Sequence, residues 1–243
     1  MGNQRVFDAV TPAEISALTL SLKVASLALV VMMPLAIFVA YVLSRKRFRG
    51  HSLLNALVFL PLVLPPVVTG YFLLLTFGRT GPVGMVLDSL FGTRLAFTWV
   101  GAAIAAGVMA FPLMVRPLRQ AFDAVDPGLE VAAKSLGVKR VRRWLTITLP
   151  LAMPGLIAGA VLGFAKALGE FGATITFAAN IPGETRTLAL AIYTELQRPG
   201  GETPAFRLTL ISLAIAVVAV ILSELVVARI ARRARAAQED RHG

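Results

Sequence analysis

The residues of this sequence that could do chemistry are hydrogen-bond donors and helix-capping groups, because the usual catalytic side chains are scarce. The 243 residues include no cysteine and two histidines, His51 and His242, which both lie outside the apolar segments. Disulfides, Cys-ligated zinc, iron–sulfur clusters and thiol catalysis are therefore excluded. Neither histidine is placed to ligate an intramembrane haem or to serve a Ser/His hydrolase. We predict no catalytic residue and no metal site.

One donor-rich segment predicts a transient anion site. Gly169, Gly172 and Ala173 leave backbone N–H groups approachable, and Thr174 and Thr176 add hydroxyl donors. Such donors can form a weak, transient ring around a tetrahedral dianion. The alternative is that the glycine and the threonines only pack a short helix against a dimer partner.

Small and charged residues just before this segment predict structural roles. Gly155, Gly159 and Gly163 recur every four residues, which lets another helix approach closely. Lys166 and Glu170 are four residues apart on one helical face, so they are predicted to form an ion pair at the membrane edge. A carboxylate is a poor ligand for an anion, so we do not assign Glu170 to the anion site.

A short helix with well-marked ends is predicted further upstream. Asp126 is a good N-cap, Pro127 fits the first helical turn, and Gly137 can end the helix in the left-handed conformation. The interval gives about ten helical residues, or roughly 15 Å. Its narrow apolar stripe, at the spacing i, i+3, i+4, i+7, comprises Leu129, Ala132, Ala133 and Leu136, with Glu130 on another face.

This stripe fits either of two partners. A protein surface with a cleft would accept it, since the two alanines permit close approach. A lipid surface would also accept it, with anionic headgroups held by the basic cluster Lys139, Arg140, Arg142 and Arg143. The stripe and the cluster alone leave both alternatives open.

The elements that position these groups must be membrane helices. The chain is 57% hydrophobic and 15% charged, with a mean hydropathy of +0.77, whereas ordinary soluble domains are about 45–50% apolar and about 25% charged. Aromatic residues make up only 8%, which favours aliphatic helices over an aromatic-belted barrel. We predict an all-α integral membrane protein, a polytopic helical bundle that forms one domain over residues 1–243.

Five stretches are long enough to cross a hydrocarbon core of about 30 Å. They are residues 24–43, 52–77, 95–115, 145–165 and 208–228. Residues 171–183 are also uncharged but too short to span, so we predict a sixth, half-length or re-entrant segment there.

Prolines cluster in the second stretch. The run LPLVLPP at 60–66 contains Pro61, Pro65 and Pro66, which should unwind a turn near mid-membrane. Freed carbonyls are tolerated there only where protein or a water-filled cavity satisfies them. Pro65 and Pro66 are therefore predicted to line a wet or movable centre, with ordinary helix kinks as the alternative.

The basic residues predict the orientation of the bundle. Residues 44–51, 116–144 and the tail from Arg229 carry 16 of the 24 Lys and Arg residues. By the positive-inside rule these segments are cytoplasmic, including a loop at 116–144. The N-terminus and the 166–207 loop are then outside and the C-terminus is inside. The net charge of +11 is thus a topology signal rather than a sign of nucleic-acid binding.

The spacing around the short helix resembles a known family. Ala132-Ala133, three residues, Gly137, nine residues, Ile147, one residue and Leu149-Pro150 resemble the EAA loop of ABC importer permeases. Val131 stands where the family has Glu. The resemblance implies a permease architecture and a coupling helix that docks on a cytoplasmic ATPase, through Leu129, Glu130, Ala132, Ala133, Leu136 and Gly137. Because the sequence lacks G-x-x-x-x-G-K-[ST], ATP and Mg would be bound by that partner and no cofactor by this chain.

Further segments resemble the molybdate permease branch of that family. They are LSLKVASLAL (20–29), FLPLVLPPVVTGY (59–71), MAFPLMVRPLR (109–119) and ALGEFGATITFAANIPGETRTLALAIY (167–193). The GEFGA core is also similar to sulfate and thiosulfate permeases, while NIPGETRT favours molybdate, and tungstate is not separated from it. The resemblance implies an inner-membrane homodimer with two ABC ATPase subunits and an extracytoplasmic oxyanion-binding protein.

Two other classes make different predictions. A secondary anion transporter needs an intramembrane ionisable site, and the first four predicted spans carry no charge. A scaffold that only tethers an ATPase has no need for a proline-broken span. The permease hypothesis places the pathway at Pro65, Pro66, Gly169, Gly172, Thr174 and Thr176.

Overall fold

The computed structural model describes residues 11–239, with side chains in the last helix up to residue 222 and at 225 and 229. This part of the chain is helical and contains no β-strand. The helices are α1 (Pro12–Arg45), α2 (His51–Val63), α3 (Pro66–Phe77), α4 (Pro82–Phe91), α5 (Trp99–Ala124), α6 (Pro127–Ser135), α7 (Arg140–Arg143), α8 (Leu149–Leu151), α9 (Met153–Leu168), α10 (Gly172–Ala178), α11 (Leu188–Leu196) and α12 (Glu202–Glu239), with a π-helical turn (Trp144–Thr148) between α7 and α8.

The helix lengths confirm the predicted all-α membrane fold. Helices α1, α5 and the Glu202–Leu222 part of α12 are each long and apolar enough to cross a membrane. Two bent helix pairs, if each counts as one span, bring the candidate spans to five.

Helix α1 begins well before the predicted span at 24–43. Thr11 Oγ1 accepts a hydrogen bond from the Glu14 N–H (3.3 Å), and Glu14 Oε2 accepts one from the Thr11 N–H (2.7 Å). This reciprocal capping box, followed by Pro12 in the first turn, fixes the start of the helix. The helix then continues through Pro34 to its end at Arg45.

Helices α1, α5 and α9 pack together and form what we call the frame. The buried faces are rich in small residues, which let helix axes approach closely. They include Ala25, Ala28, Ala36 and Ala40 of α1 and Ala102, Ala103, Ala106 and Ala110 of α5. The predicted glycine face of α9 meets α5: a Cβ added at Gly155 would lie 2.3 Å from Ala121 Cβ, and one at Gly159 would lie 2.9 Å from the Met114 carbonyl oxygen. The packing role predicted for these glycines is confirmed.

Two contacts fix the direction of the frame helices. The Lys23 ammonium lies 3.8 Å from the centre of the Trp99 ring, and Arg45 Nη2 donates to the Val125 carbonyl oxygen at 2.8 Å. Helices α1 and α5 therefore run in the same direction, and both end beside α6. We call this the α6 end of the molecule. Both internal basic connections predicted to share one side of the membrane, 44–51 and 116–144, lie at it.

The second predicted span is two helices rather than one. Helix α2 ends at Val63, α3 begins at Pro66, and their axes differ in direction by 116°. Pro65 and Pro66 lack N–H groups and disfavour helical conformations in the residues before them, so the helix cannot continue. The prediction that this proline run unwinds a turn is confirmed, and the stretch 52–77 consists of two helices joined at that break.

The fourth predicted span, 145–165, is also interrupted. It starts in the π-helical turn, and the segment Arg140–Leu151 is bent by 68° relative to α9. Pro154 lies in the first turn of α9. N–H groups in a first turn have no acceptor within the helix, so proline is tolerated there and a new helix can start.

The predicted cytoplasmic loop at 116–144 and the predicted outer loop at 166–207 both contain more helix than the sequence suggested. Residues 116–124, placed in the cytoplasmic loop, continue α5, because Leu118 and Phe122 extend its fully buried face. The segment 166–207, placed outside as a loop, holds the end of α9, all of α10 and α11, and the start of α12. Within residues 171–183, where a sixth, half-length or re-entrant segment is predicted, the structure forms the seven-residue helix α10. The span predicted at 95–115 begins four residues before α5, which starts at Trp99 and continues to Ala124, and the span predicted at 208–228 is part of the longer α12.

Candidate functional site

Helix α6 has the ends that the sequence predicts. Asp126 Oδ1 accepts a hydrogen bond from the Gly128 N–H at 2.8 Å, which caps the N-terminus. Gly137 takes a φ of +76°, and the Val138 N–H closes the turn on the Ala133 carbonyl at 3.0 Å. Nothing lies within 4 Å of a Cβ built on Gly137, so glycine is required there for its backbone conformation rather than for space.

The predicted apolar stripe of α6 divides between two surroundings. Ala133 is 8% exposed and packs against its own chain, whereas Leu129 is 46% and Leu136 83% exposed, and Ala132 is also exposed. Val131, which sequence reasoning noted only as a departure from the family, is 62% exposed on the same short helix. The uncovered apolar surface of α6 therefore comprises Leu129, Val131, Ala132 and Leu136. Ala133 lies on the buried side of the helix.

Glu130 faces its own chain rather than the uncovered surface. Its Oε1 accepts a hydrogen bond from the buried Thr148 Oγ1 at 2.8 Å and lies 3.8 Å from Arg45 Nη2. These contacts join α6 to the end of α1 and to the π-helical turn. Thr148, which is fully buried, was missed from the sequence, where only its place two residues before Pro150 could have drawn attention.

The second group of predicted site residues lies where α3 packs on α10. A Cβ at Gly70 would lie 2.7 Å from the Ala173 carbonyl oxygen and 2.8 Å from Thr176 Cβ. A Cβ at Gly172 would in turn lie 2.7 Å from Pro66 Cβ. The two glycines thus allow the helices to touch at backbone distance. We call α2, α3 and α10 the half-helix region. Gly70 was missed as a site residue, although it stands in the VTGY run four residues after Pro66.

Two of the predicted anion donors are used within the chain. The Ala173 N–H donates to Glu170 Oε1 at 3.1 Å, and the Thr176 hydroxyl donates to the Gly172 carbonyl at 2.8 Å. The prediction that the Ala173 N–H is approachable is therefore wrong, because a carboxylate of the same chain caps that end of α10. The predicted pair of Lys166 and Glu170 is confirmed, since their side chains are in direct hydrogen-bond contact.

Thr174 differs from these donors because its hydroxyl has no partner among the described residues. It is 1% exposed. Thr69, on the adjoining α3, is 6% exposed and is likewise without a hydrogen-bond partner in the described part of the chain. Buried hydroxyls are usually satisfied, so a pair of orphans on two contacting helices requires an explanation.

The remaining residues predicted to line the pathway lie at the surface of the lone chain. Pro65 and Pro66 are exposed at the break between α2 and α3, and Gly169 is exposed at the end of α9. The structure brings Pro66, Gly172 and Thr176 into one packed contact, with Thr174 on the same short helix. It does not bring this group near α6, which lies at the end of the frame.

Comparison with known proteins gives a family. Residues 32–232 match the family described as binding-protein-dependent transport system inner membrane component. The chain is 54% identical over 222 residues to the molybdenum transport system permease protein ModB of Escherichia coli (strain K12), covering 91% of this chain and 96% of that protein. It is 51% identical over 211 residues to the protein of the same name from Haemophilus influenzae, covering 87% and 92%.

A solved structure shares the fold. The crystal structure of a bacterial ABC transporter involved in the import of the acidic polysaccharide alginate contains a chain that superposes with a TM-score of 0.72. The match covers 91% of this chain and 81% of that one at 18% identity, so it speaks for the fold alone.

Proposed function

The chain belongs to the family of binding-protein-dependent transport system inner membrane components, and from that membership we propose that it is the permease subunit of an ATP-driven importer of molybdate or tungstate. The observation that carries the substrate is the 54% identity, over nearly the whole chain, to a molybdenum transport permease. The permease carries out no covalent chemistry. ATP and Mg are bound by its partner subunits.

The uncovered face of α6 is the docking surface for the ATPase. Leu129, Val131, Ala132 and Leu136 are apolar and exposed on a helix whose ends are fixed by its own caps. Two ATPase subunits, one per permease, close on ATP and displace both α6 helices. Because Glu130 joins α6 to Arg45 and Thr148, the displacement reaches α1 and the start of the fourth apolar stretch.

The half-helix region lines the translocation pathway in a homodimer. The break at Leu64 and Pro65 interrupts the helical hydrogen-bond ladder within an apolar segment, which is tolerated where a second protein chain or water covers the backbone. The buried hydroxyls of Thr69 and Thr174 are donors that a passing oxyanion can use when the helices part. An extracytoplasmic binding protein delivers the oxyanion at the end opposite α6, with the N-terminus outside and the C-terminus in the cytoplasm of this inner-membrane protein.

The test is uptake in proteoliposomes that contain the chain and its ATPase, with ATP inside and the loaded binding protein outside. Internal molybdenum is measured by elemental mass spectrometry. Gly137→Trp places a bulky ring beside the docking face and should reduce uptake at least about tenfold, which corresponds to only about 1.4 kcal/mol of lost coupling.

Gly92→Trp is the matched control, because Gly92 also has a positive φ (+61°) and open space around its Cβ position. It should retain uptake and membrane insertion. Equal loss in both variants, or full uptake by Gly137→Trp, would contradict the docking assignment. Sulfate in tenfold excess should compete weakly, whereas strong competition would favour a sulfate or thiosulfate permease.

A further inference from the structure

A groove at the α6 end of the molecule is used neither by the docking face nor by the half-helix region. It lies between the last three turns of α1 and the α7 segment and has a volume of about 350 Å³. Its apolar wall includes Ile37, Phe38 and Tyr41 of α1 and Trp144 of the π-helical turn. Lys46 and Arg140 lie at its polar end.

We infer that this groove binds an anionic phospholipid of the inner leaflet, with the phosphate between Lys46 and Arg140 and an acyl chain along α1. The inner leaflet follows from the orientation given under the proposed function. The binding itself does not depend on transport.

Charge favours a phosphate at the polar end. Neither Lys46 nor Arg140 forms an ion pair with an acidic side chain among the described residues, and no acidic residue lines the groove. Basic pockets between helices on the cytoplasmic side bind anionic lipid headgroups.

The length and composition of the wall favour a lipid over a free anion. The groove extends along α1 from Pro34 to Lys46, which at 1.5 Å per residue is roughly 18 Å. One leaflet contributes about half of a 30 Å hydrocarbon core. Phe38 is 64% exposed and Val141 69% exposed in the lone chain, so the wall presents uncovered apolar surface over the depth of one leaflet.

The aromatic residues also suit this depth. Tyr41 and Trp144 contact each other edge to face, with ring centres 6.5 Å apart, near the polar end. Tyr and Trp are enriched at the level of the headgroups. Tyr41 belongs to the frame, and Trp144 starts the π-helical turn that follows α6 and α7 in the chain. A lipid that contacts both residues therefore connects the frame to this turn.

The test measures lipid retention on the purified full chain by native mass spectrometry. The chain is exchanged into mixed micelles with equal amounts of palmitoyl-oleoyl phosphatidylglycerol and phosphatidylcholine. Wild type should retain phosphatidylglycerol preferentially. The double variant Lys46→Gln/Arg140→Gln should lower that preference by about tenfold or more, and Arg142→Gln, an exposed cation outside the groove, should leave it within about twofold.

A second variant tests the apolar wall. Ile37→Trp fills the groove without changing its charge and should also lower retention of phosphatidylglycerol. Equal binding of the two lipids, or equal loss with Arg142→Gln and with the double variant, would overturn the site. Displacement of the lipid by millimolar inorganic phosphate with no effect of Ile37→Trp would indicate a soluble-anion site instead. Burial of the groove in a purified dimer, seen as protection of a Phe38→Cys label, would assign it to a protein interface.

Discussion

The frame and the half-helix region differ in the length of their helices and in whether prolines interrupt them. The frame consists of helices of 34, 26 and 16 residues with buried alanine and glycine faces, and α1 and α5 contain prolines without breaking. The half-helix region consists of segments of 7, 12 and 13 residues that end inside apolar sequence. Buried groups without a partner in the described part of the chain occur in both regions: Ser44 Oγ and Arg45 Nε in the frame, and the hydroxyls of Thr69 and Thr174 in the half-helix region.

The difference lies in whether prolines occur singly or in tandem. Pro112 and Pro117 of α5 are held in a helix whose flanking residues Met114, Val115 and Leu118 are fully buried. Pro34 of α1 also leaves its helix unbroken, although its neighbours Val31 and Leu35 are exposed. At Pro65 and Pro66 two successive residues lack an N–H and disfavour a helical conformation in the residue before them, so the helix ends there.

The largest effect is expected where a substitution enters the frame. Gly155→Ala places a Cβ 2.3 Å from Ala121 Cβ and 2.7 Å from the Pro117 carbonyl, so backbone must move. It should lower the free energy of unfolding by about 1–3 kcal/mol, which a thermal shift in detergent measures. Gly169→Ala meets nothing closer than 3.8 Å and is the comparison for unfolding only. Equal stability of the two variants would show that the frame is not tightly packed.

The same substitution in the half-helix region should be milder for stability and worse for transport. Gly70→Ala presses on the Ala173 carbonyl at 2.7 Å, but α10 is a short helix that can shift. We expect a cost of about 1 kcal/mol in unfolding together with at least a severalfold loss of molybdate uptake. A stability loss as large as that of Gly155→Ala, with uptake retained, would erase the distinction between the two regions.

A third variant tests the link between the frame and α6. Thr148→Val removes the hydrogen bond to Glu130 and should cost about 1 kcal/mol, with fewer molybdate ions imported per ATP hydrolysed. Thr146→Val is the matched control on the same turn, because its exposed hydroxyl donates only to the Arg142 carbonyl. If both variants keep the wild-type ratio of uptake to ATP hydrolysis, Glu130 does not transmit motion.

The smallest effect on stability is expected for the orphan hydroxyl. Thr174→Val removes a buried group that has no partner among the described residues, so unfolding should change by less than about 1 kcal/mol. Uptake should nevertheless fall, and fall more than in Thr176→Val, whose hydroxyl is bonded within its own helix. Unchanged uptake in Thr174→Val would leave this hydroxyl without a role in the pathway.

Local chemistry was predictable from the sequence where it depends on neighbours in the chain. The caps of α6, the break at Pro65, the pair of Lys166 and Glu170, and the glycine face of α9 all follow from residues within a few positions of each other. The helical membrane fold was predictable too, because each apolar stretch is continuous in the sequence.

Contacts between distant segments were not predictable. The sequence does not show that Glu130 turns inward to Thr148 and Arg45, since its partners are 18 and 85 positions away. One local contact was also not predicted, because the Glu170 carboxylate can point either to Lys166 or to the Ala173 N–H three residues later. Helix ends beyond the apolar stretches, such as residues 116–124, depended on burial that only the packed structure supplies.

The caps of α6 have a consequence for how fast the subunits associate. A helix of nine residues is too short to persist in water by itself, yet here Asp126, Gly137 and the Glu130 contacts hold it folded before any partner arrives. In the proposed docking its backbone would lose little further conformational freedom, so α6 would associate as a preorganised ligand rather than as a peptide that folds as it binds. We expect the ATPase to bind and leave the permease without a step in which α6 folds. When the ATPase moves, α6 should move with it as a rigid body.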